Sequence, residues 1–151
     1  MKNVGVGTII FRKKDDTWEF LVMKRISKIG GFWQVPGGGV EKTDKTLLDT
    51  AYREVFEEAG IKKEQVLSII EDVNHFFFDK FDDSGNLIKK IEEYVFAFEV
   101  DKDAVVNIDD NVELEHEDYK WVSYKEALEL FKFDSQKNSL NILYSLLSEL
   151  N

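Results

Sequence analysis

Five of the nine glycines and the only proline of this 151-residue chain crowd into the stretch Gly30 to Gly39, just ahead of a segment with helical periodicity. A run of that kind is a shaped loop flanking a short strand, since glycine lets backbone approach backbone or ligand where a Cβ would collide. In the following TLLDTAYREVFEEAG, Leu47, Leu48, Ala51, Val55 and Ala59 recur at helical spacing, and Gly60 stands where a C-cap glycine belongs. The spacing predicts a helix beginning near Asp44 to Thr46, with Gly37, Gly38 and Gly39 delivering the chain into it.

The flanking sequence predicts strands. Val4 to Phe11 and Trp18 to Arg25 are rich in β-branched and aromatic residues and are joined by the polar stretch Arg12 to Thr17, which reads as a hairpin. Val66 to Phe81 and Leu87 to Val100 flank the turn-rich Asp82-Asp83-Ser84-Gly85-Asn86 and form a second hairpin. A polar, acidic stretch from Asp101 to Asp118 leads to a short strand, Tyr119 to Val122, and to two closing helices. Ser123 and Glu126 have capping-box spacing for the first of these, and Leu140, Leu143, Leu147 and Leu150 make an apolar stripe on the second. Nothing marks a boundary, repeat or low-complexity tract, so one domain over 1–151 is expected.

Composition removes several function classes. With 20 Lys and Arg against 30 Asp and Glu the net charge is −10, which disfavours binding to duplex nucleic acid. There is no cysteine, hence no disulfide, thiolate nucleophile or Cys-bound zinc, and two histidines (His75, His116) cannot build a multi-His centre. Any metal is therefore expected to be held by oxygen. No apolar run suits a membrane span or a secretory leader, so the expected compartment is the cytoplasm.

Glu54, Glu57 and Glu58 lie at i, i+3 and i+4 of the predicted helix, on one face. Carboxylates so close repel one another unless a cation sits among them, and oxygen-only ligation suits Mg²⁺, with Mn²⁺ possible. Mg²⁺ commonly completes its shell with phosphate oxygens, which points to phosphoryl chemistry on a polyphosphate. A solvated acidic face is the competing explanation of the carboxylates alone, and the glycine loop ahead of them favours chemistry.

From Gly39 through Lys45 to Arg53-Glu54-Val55-Phe56-Glu57-Glu58-Ala59-Gly60-Ile61, the chain resembles the signature of Nudix hydrolases, here spanning 39–61. One position departs: Lys45 stands where that signature has its first Glu, a residue the resemblance implies supports the loop, and the adjacent Asp44 is placed to take over that support. The resemblance implies an α/β (α+β) fold, an α/β/α sandwich on a mixed, curved sheet. It also implies hydrolysis of a nucleoside diphosphate linked to another group, with Glu54, Glu57 and Glu58 as metal ligands. Arg53 and Glu57 are the expected catalytic residues, Arg53 by bracing carboxylates, and Glu57 and Glu115 are the candidate general bases.

The segments Phe32 to Glu41 and Glu115-His116-Glu117-Asp118-Tyr119-Lys120-Trp121, with Ser135 beyond, are similar to those of dihydroneopterin triphosphate and dATP pyrophosphohydrolases. That likeness implies a phosphate contact for Arg25, a fourth metal ligand in Glu115, and a substrate border at Ser135. A flat purine or pterin needs an aromatic slot, for which Trp33 and one ring of Phe76-Phe77-Phe78 are candidates, although core packing is the expectation for most of those rings. His116 and His75 read as structural. The partner is thus a small-molecule nucleotide or pterin polyphosphate, with neither duplex nor membrane, and the chain is a monomer or homodimer. Diadenosine tetraphosphate hydrolysis is the main alternative, and a Nudix module that binds a nucleotide without hydrolysing it is the alternative of another class.

Overall fold

Side chains alternate along the first strand, β1 (Val4–Lys14), so that Val6 and Ile10 face one side and Ile9 and Phe11 the other, all buried. A strand buried on both faces belongs in the middle of a layered structure, and the computed structural model, which describes residues 3–109 and 115–149, puts it there. The elements that follow are β2 (Thr17–Arg25), β3 (Trp33–Gln34), β4 (Gly37–Gly39), α1 (Leu47–Ala59), β5 (Val66–Phe81), β6 (Leu87–Val100), β7 (His116–Val122), α2 (Tyr124–Leu130) and α3 (Asp134–Glu149). The sheet order is β3-β2-β1-β6-β5, with β4 pairing β1 and β7 pairing β2; β1 and β6 run parallel and the other pairs antiparallel, so the sheet is mixed.

Two apolar clusters fill the layers. Val6, Ile10, Leu21 and Met23 pack with Ala51, Val55 and Ala59 of α1. On the opposite face Ile9, Phe11, Phe20 and Val22 pack with Ala127 of α2 and Leu140, Leu143 and Leu147 of α3. This is the expected α/β/α sandwich, and the leucine stripe of α3 meets the sheet as predicted, apart from Leu150, which lies outside the described residues.

Local signals set the ends of the elements. Thr46 caps α1 through Asp49, whose side chain accepts in return from the Thr46 N–H, and Gly60 closes the helix at φ 71°. At α2 the Ser123 half of the expected capping box forms. The β1–β2 turn is tighter than expected: Asp15 and Asp16, with φ of 52° and 65°, make a two-residue connection whose hand matches the strand twist, so the strands extend to Lys14 and from Thr17. β7 starts at His116 rather than Tyr119, because Arg25 to Phe20 offer it an edge along its whole length.

The aromatic run of β5 departs from expectation. Phe76 packs against the core, but Phe77, Phe78 and Phe81 are 58%, 39% and 56% exposed. The physical reason is the length of the second hairpin: β1 pairs with β6 only from Glu92 onward, so the part of β5 and β6 beyond it extends past the central strand.

Candidate active site

The geometry begins with β4, which is hydrogen bonded to β1 through the register Gly5↔Gly39, Val6↔Gly38 and Gly7↔Gly37. A Cβ on Gly37 would sit 2.6 Å from the Val6 carbonyl oxygen, and one on Gly38 would sit 2.4 Å from Glu54 Oε1. Glycine is therefore required at one position to lie against β1 and at the next to admit a carboxylate of α1. The Gly37 N–H donates to Glu58 Oε2 at 2.8 Å, and the Gly39 carbonyl accepts from Arg53 Nη2 at 2.9 Å. Loop and helix are thus joined at both ends of the glycine strand.

Arg53 is the brace. Its Nη1 donates to Glu54 at 2.7 Å and to Glu57 at 3.1 Å and lies 3.3 Å from Glu41, while Nε and Nη2 reach Asp44 at 3.0 and 2.8 Å. Asp44, with a side chain only 5% exposed, also accepts from the Glu41 N–H and the Thr50 hydroxyl. The Arg53 guanidinium holds the Asp44 carboxyl well below the usual carboxylate range despite its burial. Lys45 is exposed, and Asp44 ties the loop to the helix, as its place next to Lys45 suggested.

Beyond the brace, one oxygen each of Glu58 and Glu115 and one ring nitrogen of His116 come within 4.8 Å of one another. Glu115 is held in place by its carbonyl, which accepts from the Ile26 N–H at 2.9 Å, and the neighbouring Glu117 accepts from the Ser27 N–H at 2.8 Å. Burial pushes the Glu58 carboxyl up to about 10, helped by the charges of Glu54 and Glu115 and opposed by the Gly37 N–H. Glu54 is raised by its own burial against the pull of Arg53. Buried like charges in this arrangement require a proton or a cation, and an all-carboxylate donor set fits a hard divalent ion.

His116 is fully buried, and burial lowers it to about 4, so its ring is neutral. Gln34 Nε2 lies 3.0 Å from its Nε2, and an amide nitrogen can only donate. The ring proton then sits on Nδ1, which is 3.7 Å from Glu58 Oε1, beyond hydrogen-bond reach, and has no hydrogen-bond partner among the described residues. In that tautomer the ring atom turned toward Glu58 carries a proton and offers no lone pair to a cation there. The packing role expected for His116 is met, but its placement among the carboxylates was not foreseen; the only trace in the sequence is its position next to Glu115.

A cleft of about 1210 Å³ opens on the other side of the glycine strand, lined by Gly37, Gly38, Gly39, Arg25, Ser135 and Phe32, among others. Trp33 is not one of its lining residues: it packs into the α2/α3 cluster with Lys120 Nζ 5.1 Å from its ring centroid, and Phe32 and Phe76 supply the aromatic walls. Along Phe32, Trp33 and Gln34 the side chains alternate, so Phe32 and Gln34 line the cleft and Trp33 turns away. Glu54, Glu57, Glu58 and Glu115 do not line the cleft themselves; β4 separates them from it and touches both.

The sequence profile of the NUDIX domain matches residues 1–142 of this chain. The chain belongs to the NUDIX domain family. An asymmetrical bis(5'-nucleosyl)-tetraphosphatase of Sus scrofa is 34% identical over 141 residues, covering 87% of this NUDIX chain and 86% of the relative. A NUDIX hydrolase structure from Listeria monocytogenes superposes with a TM-score of 0.80 at 28% identity, over 97% of this chain and 94% of that one. The dihydroneopterin triphosphate pyrophosphohydrolase of E. coli superposes at 0.69 with 25% identity, over 92% of each chain. Three further relatives, two of them RNA pyrophosphohydrolases, match over shorter stretches, and the chain spans only 21%, 37% and 43% of their length. Among the described residues no helix is long and apolar enough to cross a membrane.

Proposed function

We propose that this NUDIX chain is a divalent-cation-dependent pyrophosphohydrolase, which cleaves a nucleoside or pterin triphosphate to the monophosphate and pyrophosphate by attack of water on phosphorus. The observation that carries the reading is the group Glu54, Glu58 and Glu115, partly or fully buried, braced by Arg53 and joined through Gly37 and Gly38 to a cleft with aromatic walls.

In this reading Glu54, Glu57, Glu58 and Glu115 hold Mg²⁺, or Mn²⁺ in its place, which when bound neutralises phosphate oxygens and makes water more acidic. The chain's own residues do the rest. Arg53 fixes the Glu54 and Glu57 carboxylates relative to β4, and the Gly37 N–H holds Glu58. Glu57, whose side chain is 47% exposed, or Glu115 takes the proton from the attacking water. Arg25 and the Gly37 to Gly39 backbone receive the phosphates, Ser135 borders them, and Phe32 and Phe76 receive the flat heterocycle. In this reading the NUDIX domain works in the cytoplasm, as a monomer or a homodimer.

A second reading, hydrolysis of a dinucleoside tetraphosphate, is favoured by the end-to-end similarity to the Sus scrofa tetraphosphatase. Product analysis separates the two: dATP, dihydroneopterin triphosphate and diadenosine tetraphosphate are each incubated with and without Mg²⁺, and phosphate, pyrophosphate and mononucleotides are identified. Pyrophosphate with a monophosphate from either of the first two supports the proposal, and turnover confined to the dinucleotide moves it to the second reading. Binding without turnover of any of them would make the chain a recognition module, against both.

A further inference from the structure

On the floor of the cleft lies a carboxylate that the proposed reaction does not use. Glu93 stands on β6 in a lateral row that crosses four strands, Phe76–Glu93–Gly5–Gly39. A Cβ on Gly5 would come 2.5 Å from one of its carboxylate oxygens, and one on Gly7 would come 3.3 Å from the other, so both glycines of β1 leave room for it. The space that those two Cβ atoms would occupy is bordered besides by the Ile91 and Val35 side chains and by the Gly38 carbonyl, an acceptor that offers the carboxylate no hydrogen bond. The carboxylate makes no hydrogen bond and no ion pair among the described residues, and burial alone pushes it up to about 7.

A partly buried acceptor pair without a donor is an expense to the fold that a ligand can relieve. A divalent ion does not suit the position, because among the described residues the one group of ligating side chains is that of Glu58, Glu115 and His116. The location suits a base. Glu93 lies two strand spacings, about 10 Å, from Gly39 at the phosphate end, and Phe76 offers a ring one strand further on. Two adjacent carboxylate oxygens match two adjacent N–H donors, which guanine and pterin present as a ring N–H beside an exocyclic amino group. Adenine presents one donor and one acceptor.

We propose that Glu93 is the specificity-determining residue of the cleft, accepting both hydrogen bonds from the ring N–H and the neighbouring 2-amino group of a guanine or pterin that lies along Phe76. This rests on the proposed function for the polyphosphate tail, but not for the ring.

Isothermal titration with GMP and AMP tests ring recognition without turnover, using the wild-type protein, Glu93→Gln and Glu93→Ala. The wild type is expected to prefer GMP by about tenfold or more, the loss expected for a hydrogen bond to a charged acceptor. Glu93→Gln should abolish or reverse that preference, because a carboxamide offers one donor and one acceptor, the complement of adenine, and Glu93→Ala should bind the two alike. Equal binding of GMP and AMP by the wild type, or the same ratio in Glu93→Gln, overturns the assignment. Both variants should melt no lower than the wild type, since an unpaired buried charge is removed. A lower melting temperature with unchanged selectivity would mark a structural carboxylate and equally overturn it. A GMP preference without cleavage of GTP would sink the hydrolase reading and leave this one standing, and cleavage without the preference would do the reverse.

Discussion

Asp44 carries a burden that the NUDIX signature places one residue later, and its replacement by Ala tests whether the loop depends on it. The side chain accepts from the Arg53 guanidinium at 2.8 and 3.0 Å, from the Thr50 hydroxyl at 2.9 Å and from the Glu41 N–H at 2.9 Å. Breaking a buried ion pair by removing one partner costs about 3–5 kcal/mol. Arg53 keeps Glu54 and Glu57 and is 18% exposed, so the lower end, about 3 kcal/mol, is expected. At roughly 2–4 °C per kcal/mol for a chain of this size, the melting temperature should fall by about 6–12 °C. Because Arg53 pulls the folded Asp44 pKa below its unfolded value near 3.8, the stabilisation is complete above that value and is lost as pH falls through the folded pKa. Thermal melts of the wild type and Asp44→Ala in chelator should therefore differ by a constant amount from pH 6 to 8 and converge only in strong acid. The control is Lys45→Glu, an exposed site, expected within about 0.5 kcal/mol of the wild type. A drop of less than about 1 kcal/mol in Asp44→Ala, or a large one in Lys45→Glu, would refute the reasoning.

Two further outcomes follow from the same geometry. The Glu58 carboxyl is raised to about 10 in the folded chain against an ordinary value of 4.5, so the cation-free protein should lose stability as pH rises between those values. Melts from pH 5 to 9 should show that decline, millimolar Mg²⁺ should offset it most at high pH, and Glu58→Gln should abolish the pH slope, the Mg²⁺ effect and the turnover together. Gly38→Ala would place a Cβ 2.4 Å from Glu54 Oε1, so steady-state assays should show kcat down by more than tenfold with the fold retained in circular dichroism.

Much of this was legible from local chemistry. The α1 caps at Thr46 and Gly60, the two hairpins and the α3 stripe are written in neighbouring residues, because capping, turn chemistry and amphipathic spacing act over a few positions. Reading Trp33 as a wall of the slot required knowing which face of a two-residue strand meets the cleft, and two residues carry no periodicity. The exposure of Phe77, Phe78 and Phe81 depends on where β1 stops pairing with β6, a relation between segments 88 residues apart that alternation within β5 cannot express.

The same distinction separates the two acidic features of the site. Glu54, Glu57 and Glu58 announce themselves through helical spacing, yet what gives Glu58 its raised proton affinity is burial against β4 together with the charges of Glu54 and of Glu115, which lies far away in sequence. Glu93 announces nothing: Glu92-Glu93 reads as a charged pair on a strand. Its meaning arises from register, since pairing it with Gly5 rather than Val6 is what leaves a carboxylate uncovered beside an aromatic wall, and Glu92, one position earlier, turns to the other face and pairs with His75. A shift of one residue between β1 and β6 would exchange those environments. The selectivity proposed for the cleft is therefore a property of sheet register, and motif similarity alone gives no means of inferring it.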